Sequence, residues 1–598
     1  MIELKCPAPN KRVGCNRLDL CHWINKLGRA RNDQARHLDP ARLYRGLGLG
    51  AAIKQAALDQ NQIYAFAHSN SLFQDLKAAP GPVTTDPLAA PSRALGKIVK
   101  MNALTRRSLL AVSAATAALA QAPLALAKTQ TAPIAPDATA LANMIRRKQI
   151  SPLEAVTEAI NRAEAAQPKL NFIVTSTFDQ AIDQAKAMTK PKGPFAGVPF
   201  LIKDLNDFKG TPTRNGSRAF LNAPVATASE PLIEAYSGTG LVVIGKSATP
   251  EQGYLPTTEP LAFGPTRNPW NLDRSSGGSS GGAAVAVAAG IVPFAHASDG
   301  GGSIRIPSAN CGLFGLKPSR GRMIGSQTQT HAYDIGVRHV LTRSVRDSAA
   351  MFAATEYRGP GAQYPAVGMV SGPSRKRLKI GVMSKTATGI NPDPEVQAGL
   401  DATVALLQPL GHTVTETHWP VDGVQFSQDF LALWATDAAA QVQTVAKTYG
   451  AKAVPDLLEP FTIGMAQMVA ALPKGAIEAA VGRLEASVIA YKAWFASQDL
   501  VLTPVLSKPA VPIGYVASTV AFDVLSKRLT EYVGYTPFMN VTGGAAMSVP
   551  LHWTADGIPV GMHFAGPAGS EKTLFQLAYE LEAAKPWAGL KPPVWFGG

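Results

Sequence analysis

Residues 197–204 read Gly-Val-Pro-Phe-Leu-Ile-Lys-Asp. The run Val198–Ile202 is apolar without alternation, the pattern of a strand buried on both faces. Leu241-Val242-Val243-Ile244-Gly245 and Lys379-Ile380-Gly381-Val382-Met383 repeat it. Further strands are read at Leu170–Val174, Val501–Pro504 and Ala546–Pro550. Helical stretches fall around them. Residues 140–165 contain Ser151-Pro152-Leu153-Glu154, a capping box with Pro at the first helical position. Val156, Ile160 and Ala163 follow at helical spacing. Residues 180–188, 395–410 and 573–584 also read as helix, and an Ala-rich, largely helical insertion is expected at about 427–497. The alternation predicts an α/β fold in which helices sandwich a sheet.

The chain has 598 residues, 46% hydrophobic and 17% charged, which excludes disorder, collagen and a disulfide scaffold as its overall nature. Its net charge of +15 suggests an acidic partner, but that charge is unevenly placed. Residues 1–100 carry 15 Lys+Arg against 7 Asp+Glu, and 101–127 add Arg106 and Arg107, so only +5 belongs to 128–598. The first hundred residues also hold Cys6, Cys15 and Cys21 without a CxxC spacing, and Gly46, Gly48 and Gly50 with no preceding strand. These read as loop sequence rather than a metal or nucleotide site.

Met101 opens a segment with paired Arg106-Arg107, an Ala/Leu-rich run through Ala120 and the small-residue site Ala125-Leu126-Ala127. That is the plan of a secretory signal of the twin-arginine type. Such a signal works only at an N-terminus. The expectation is therefore a start at Met101, a non-native, disordered extension over 1–100, a signal peptide over 101–127 and one catalytic domain over 128–598. The mature protein is expected in the periplasm or secreted, or in the cytoplasm if 101–127 is not a signal. No run after residue 128 reaches the length of a membrane span, so no stable membrane insertion and no nucleic-acid partner are expected.

Three short segments carry the chemistry. Lys203 ends a buried apolar run and is either a snorkelling surface residue or a base kept neutral by desolvation. Ser275-Ser276-Gly277-Gly278-Ser279-Ser280-Gly281-Gly282 precedes the small apolar run Ala283–Ala289. A Gly/Ser loop opening a buried helix presents free N–H groups and hydroxyls at the helix N-terminus, and it lacks the ending of a Walker motif. Ser298-Asp299-Gly300-Gly301-Gly302-Ser303-Ile304-Arg305 places three glycines before a serine, so main-chain N–H groups can converge there. The histidines His296, His331, His339, His412, His418, His552 and His563 show no metal-binding spacing. His296 reads as packing and Cys311 as a buried free thiol.

Together these segments resemble the amidase signature family. The resemblance rests on Gly-Gly-Ser-Ser-Gly-Gly at 277–282, Asp-x-Gly-Gly-Ser-Ile-Arg at 299–305, and Cys-Gly-x-x-Gly-Leu-Lys-Pro at 311–318. It extends from about 140 to 590 and includes 197–204, Pro537–Gly543 and Gly557–Gly561. It implies the family's large mixed, mostly parallel twisted sheet sandwiched by helices. It also implies hydrolysis of a carboxylic amide without metal or cofactor, with Ser303 as nucleophile, Ser279 as relay after a cis peptide bond and Lys203 as base. By the same resemblance Gly300, Gly301 and Gly302, with Ser303, form the oxyanion hole, and Asp299 and Arg305 support the turn. The substrate implied is a small amide, and a homodimer is allowed. The glutaminase subunit of a tRNA-dependent amidotransferase and an inactive amide-binding relative share the motifs. Residues 297–303 and 537–543 look most like the branch containing 6-aminohexanoate cyclic dimer hydrolases. Gly300 departs from the family, where a branched side chain is common. Gly543-Gly544-Ala545-Ala546 replaces Gly-Gln-Pro-Ala, and Ser275 or Ser276 is a register alternative to Ser279. Pocket residues are expected mainly from 323–370 and 425–540.

Overall fold

The computed structural model describes residues 135–598. The readings made for residues 1–127, including their cysteines and glycine run, lie outside that range. Thirteen strands are formed among the described residues: β1 Ile173–Ser176, β2 Pro199–Lys203, β3 Val242–Ser247, β4 Arg267–Asn268, β5 Asn271–Ser275, β6 Phe294–Asp299, β7 Phe314–Lys317, β8 Val337–Thr342, β9 Lys379–Val382, β10 Thr413–Glu416, β11 Leu500–Pro504, β12 Ala546–Trp553 and β13 Pro559–Ala565. Eight make one sheet in the order β10-β9-β11-β13-β12-β7-β8-β6, and β1-β3-β2 make a second. The two meet where β2 runs beside β6. There the Lys203 main-chain N–H donates to His296 Nδ1 at 3.3 Å.

The apolar runs behave as two-faced strands. All five residues of β2 are buried. Phe200 and Ile202 enter one core cluster while Leu201 enters another on the opposite face. Val243 and its neighbours Val242 and Ile244 divide in the same way. One cluster is roofed by helices Ala138–Arg146, Val345–Thr355 and Glu571–Ala584, the other by Pro152–Leu170 and Gly281–Ala288. The capping box of the second group forms as read: Glu154 N–H donates to Ser151 Oγ at 3.1 Å and Ser151 N–H to Glu154 Oε2 at 2.8 Å. Every residue of Gly281–Ala288 is buried. A Cβ at Gly282 would collide with the backbone of Ala248 and Phe172, so glycine sets how closely this helix approaches.

The large sheet is mixed, but it is not mostly parallel as expected. Only β10–β9 and β9–β11 pair in parallel. The pairings β11–β13, β13–β12, β12–β7, β7–β8 and β8–β6 are antiparallel. An apolar run reports burial on two faces and carries no information about direction. The β12–β13 pair is a hairpin whose turn, Thr554–Ile558, contains Asp556-Gly557, a turn dipeptide that favours antiparallel return.

Residues 423–494 are helices Gly423–Tyr449, Val454–Leu457, Pro460–Ala471 and Ala476–Trp494. Phe461, Met465 and Ala435 from these helices pack with Tyr254 and Leu255 of the segment after β3 and with Ile306 of the short helix Arg305–Cys311. This contact brings helical side chains over the segments singled out by sequence. No helix among the described residues is long and apolar enough to cross a membrane.

Candidate active site

Lys203 is the last residue of β2, and its side chain is wholly buried. Its Nζ lies 2.7 Å from Ser279 Oγ and 2.9 Å from Ser298 Oγ. Burial pushes the ammonium down to about 7; the Asp299 carboxylate opposes that shift and Arg338 adds to it. The snorkelling alternative is thereby excluded. Ser279 follows a cis Gly278–Ser279 peptide and leads into the buried helix Gly281–Ala288. Ser275, the register alternative, instead accepts from Gly277 N–H at 3.0 Å, and Ser276 Oγ faces Gly277 O.

Asp299 ends β6, and residues 300–304 turn into the helix Arg305–Cys311. Its carboxylate is wholly buried and accepts from Gly302 N–H at 2.7 Å, Ile304 N–H at 3.1 Å and Asn540 Nδ2 at 2.9 Å. Arg305 Nε and Nη2 both approach it at 2.9 Å. Burial opposes its ionisation, but Arg305 and these donors outweigh that effect and hold the carboxyl well below the usual range. Asp299 and Arg305 thus fix the turn from beneath.

Of the three glycines expected at the oxyanion hole, Gly302 gives its N–H to the Asp299 carboxylate at 2.7 Å. Its φ of +137° is a conformation that favours glycine. The N–H groups of Gly300, Gly301 and Ser303 have no hydrogen-bond partner among the described residues. Ser303 Oγ is likewise unbonded there, and Ser303 lines a cavity that opens to solvent.

Sequence reading did not assign several neighbours. Ser298 is the second partner of Lys203 Nζ, and its place beside Asp299 was the available signal. Arg305 also donates to Thr536 O at 3.0 Å, Asn540 Oδ1 at 2.6 Å and His563 Nε2 at 3.0 Å. Since Arg305 can only donate, His563 carries its proton on Nδ1, which faces Thr503 Oγ1 at 3.1 Å. Burial and the Arg305 charge keep His563 neutral. His296 is buried beside β2 and accepts from Lys203, a packing role. Cys311 is a buried free thiol, its ionisation suppressed by burial. Among the described residues no cluster of His, Cys, Asp or Glu is suited to a metal.

The cavity is walled by Gly253–Pro256, Gly301, Ser303 and Ile306, by the face of Phe426–Trp434, and by Phe461 and residues of 526–538. Residues 323–370, expected to contribute, supply none of this lining. They form β8, the helix Val345–Thr355 and loops, of which Ala332 and Ile335 pack behind Phe426, Phe430 and Phe538 without reaching the lining.

A sheet flanked by helices, carrying a buried lysine against two serines and a glycine turn, defines the architecture of an amide hydrolase. The Amidase family profile matches residues 154–575, and the chain belongs to that family, an enzyme acting on carbon–nitrogen bonds. It is 40% identical over 449 residues to the protein named "Putative amidase AmiC" of Mycobacterium tuberculosis (strain ATCC 25618 / H37Rv), covering 75% of this chain and 94% of that one. It is 32% identical over 477 residues to 6-aminohexanoate-cyclic-dimer hydrolase of Pseudomonas sp. (strain NK87), covering 75% and 94%. A solved 6-aminohexanoate cyclic dimer hydrolase superposes with a TM-score of 0.71 at 29% identity, covering 77% of this chain and 99% of that one.

Proposed function

We propose that the protein hydrolyses an amide through an acyl-enzyme on Ser303, with Ser279 as relay and Lys203 as base. The observation that carries this is the buried Lys203 Nζ hydrogen-bonded to Ser279, with its basicity lowered to about 7. A serine hydroxyl becomes a nucleophile only when a base takes its proton. Neutral Lys203 accepts the Ser279 proton while Ser279 Oγ accepts that of Ser303. A hydroxyl both donates and accepts, so the relay is chemically balanced. Ser303 Oγ then bonds to the amide carbon. The free N–H groups of Gly300, Gly301 and Ser303 stabilise the resulting oxyanion. The proton returns along the same path to the leaving nitrogen, the C–N bond breaks and the amine departs. Water repeats the sequence and releases the carboxylate.

The test is intact-mass analysis after acid quenching with a neutral anilide. Wild type is expected to carry the acyl mass on Ser303, and Ser303→Ala none. An adduct retained in Ser303→Ala rejects the assignment. From the sequence of 101–127 we also propose export by the twin-arginine route. Fusing that segment to a reporter tests it, and retention of the reporter in the cytoplasm rejects it.

A further inference from the structure

No Asp, Glu, Lys, Arg or His lines the cavity on which Ser303 opens, among the described residues. Its other hydroxyls have spent their protons on the protein itself. Tyr254 donates to Asp437 at 2.5 Å and Tyr535 to Ser384 O at 2.6 Å. Ser427 donates to Gly423 O at 2.8 Å, Ser526 to Phe522 O at 2.7 Å and Thr530 to Ser526 O at 3.0 Å. A charged group entering this space finds no counter-ion and, apart from Ser303 and the free N–H groups of the glycine turn, no donor that is not already spent. That is the most unfavourable way to bury an ion.

The wall nearest the glycine turn is aromatic for a specific reason. A Cβ at Gly300 would lie 3.1 Å from Trp434 Cζ3, and one at Gly301 would lie 3.2 Å from Phe430 Cζ. The two rings are 5.5 Å apart between centroids and inclined by 32°. Tyr254 meets Trp434 edge-on at 6.3 Å. Missing side chains on the turn thus let two rings reach the loop that carries Ser303. We propose that the cavity selects uncharged amides, and that Trp434, seated against Gly300, sets the preference for a large apolar acyl group over a small one. The proposal rests on Ser303 as the acylated residue.

The test uses a p-nitroanilide series at pH 8: acetyl, hexanoyl, benzoyl, 6-aminohexanoyl and adipoyl. For the wild type, hexanoyl and benzoyl are expected to exceed acetyl in kcat/KM by about tenfold or more, as added apolar contact allows. The cationic 6-aminohexanoyl and anionic adipoyl compounds are expected about 100-fold below hexanoyl, reflecting the uncompensated charge. In Trp434→Ala the hexanoyl/acetyl and benzoyl/acetyl ratios are expected to fall about tenfold. Gly300→Ala, which presses on the Trp434 ring, is expected to lower the benzoyl/acetyl ratio and serves if Trp434→Ala does not fold. Charged anilides turned over as fast as hexanoyl, or ratios unmoved in both variants, overturn the proposal. Acyl adducts on Ser303 with such flat selectivity overturn this inference alone. Absence of any adduct on Ser303 overturns the nucleophile assignment and this inference with it.

Discussion

The depressed basicity of Lys203 makes a prediction that two independent assays can read. An ordinary lysine titrates at 10.5, and burial brings Lys203 to about 7. At pH 7 roughly one unperturbed lysine in 3,000 is neutral, against about half of the population when the pKa is near 7. Desolvation therefore raises the supply of neutral base on the order of 10³-fold. The kcat/KM for a neutral anilide should rise with unit slope at low pH and level off above about 7. The same shift has an energetic cost. An unfolded lysine keeps its proton up to 10.5, whereas the folded one releases it near 7, so the unfolded state binds more protons between those values. Stability should therefore rise with pH across that window. At pH 7 the penalty is about 4 kcal/mol. Lys203→Met fills similar volume without charge. It should lose about 10²–10⁴ in acylation rate while unfolding at higher denaturant concentration than the wild type. A rising limb near pH 10, or a flat profile, would refute the assignment of Lys203 as base. A Lys203→Met protein less stable than wild type would refute the desolvation argument.

Arg338, on the partly exposed end of its ion pair with Glu230, lowers the Lys203 pKa from a distance. Arg338→Gln removes that positive charge, so the kinetic limb should move to higher pH; a shift to lower pH contradicts the sign. Asp299→Asn leaves Arg305 without its buried counter-charge and should cost roughly 3–5 kcal/mol in chemical denaturation. A loss too small to resolve would show that the neutral amide satisfies the same donors. Gly302→Ala places a Cβ against Thr536 Oγ1 at a φ of +137°. The turn must shift, and kcat/KM should fall about tenfold or more with the tertiary fold retained by near-UV circular dichroism. Unchanged turnover would mean that the turn is free to relax.

The parts of the site that are local in sequence were readable. The glycine turn at 300–302, the loop at 275–282 and the lysine ending an apolar run each declare their backbone geometry through residue type. Strand existence was legible for the same reason, since β2, β3 and β11 each contain a run of consecutive apolar residues. Strand direction was not, because burial on two faces is common to parallel and antiparallel neighbours in a covered sheet. Which glycine N–H remains free was also hidden. Asp299 decides it by accepting from Gly302, and a carboxylate three residues away can choose among several donors. The aromatic wall was least legible. Phe426, Phe430 and Trp434 sit at helical spacing in an Ala-rich stretch, a pattern shared with any core-facing helix. Only the tertiary fold brings them to Gly300 and Gly301.

The division of the cavity between loops and helices has a consequence for how such an enzyme diversifies. The serines, the lysine and the carboxylate that braces their turn are set by β2, β6 and the short helices behind them. Most of the lining is instead supplied by residues 423–538, none of which hydrogen-bonds to Lys203, Ser279 or Asp299; the ties to the turn are Thr536, whose Oγ1 donates to Gly301 O and whose carbonyl accepts from Arg305, and Asn540 beyond it, which donates to Asp299. Changes in the helical stretch can therefore remodel the cavity while the contacts of Lys203 with Ser279 and Ser298 stay intact. Gly300 is where the two parts touch, since a side chain there would require Trp434 to give way.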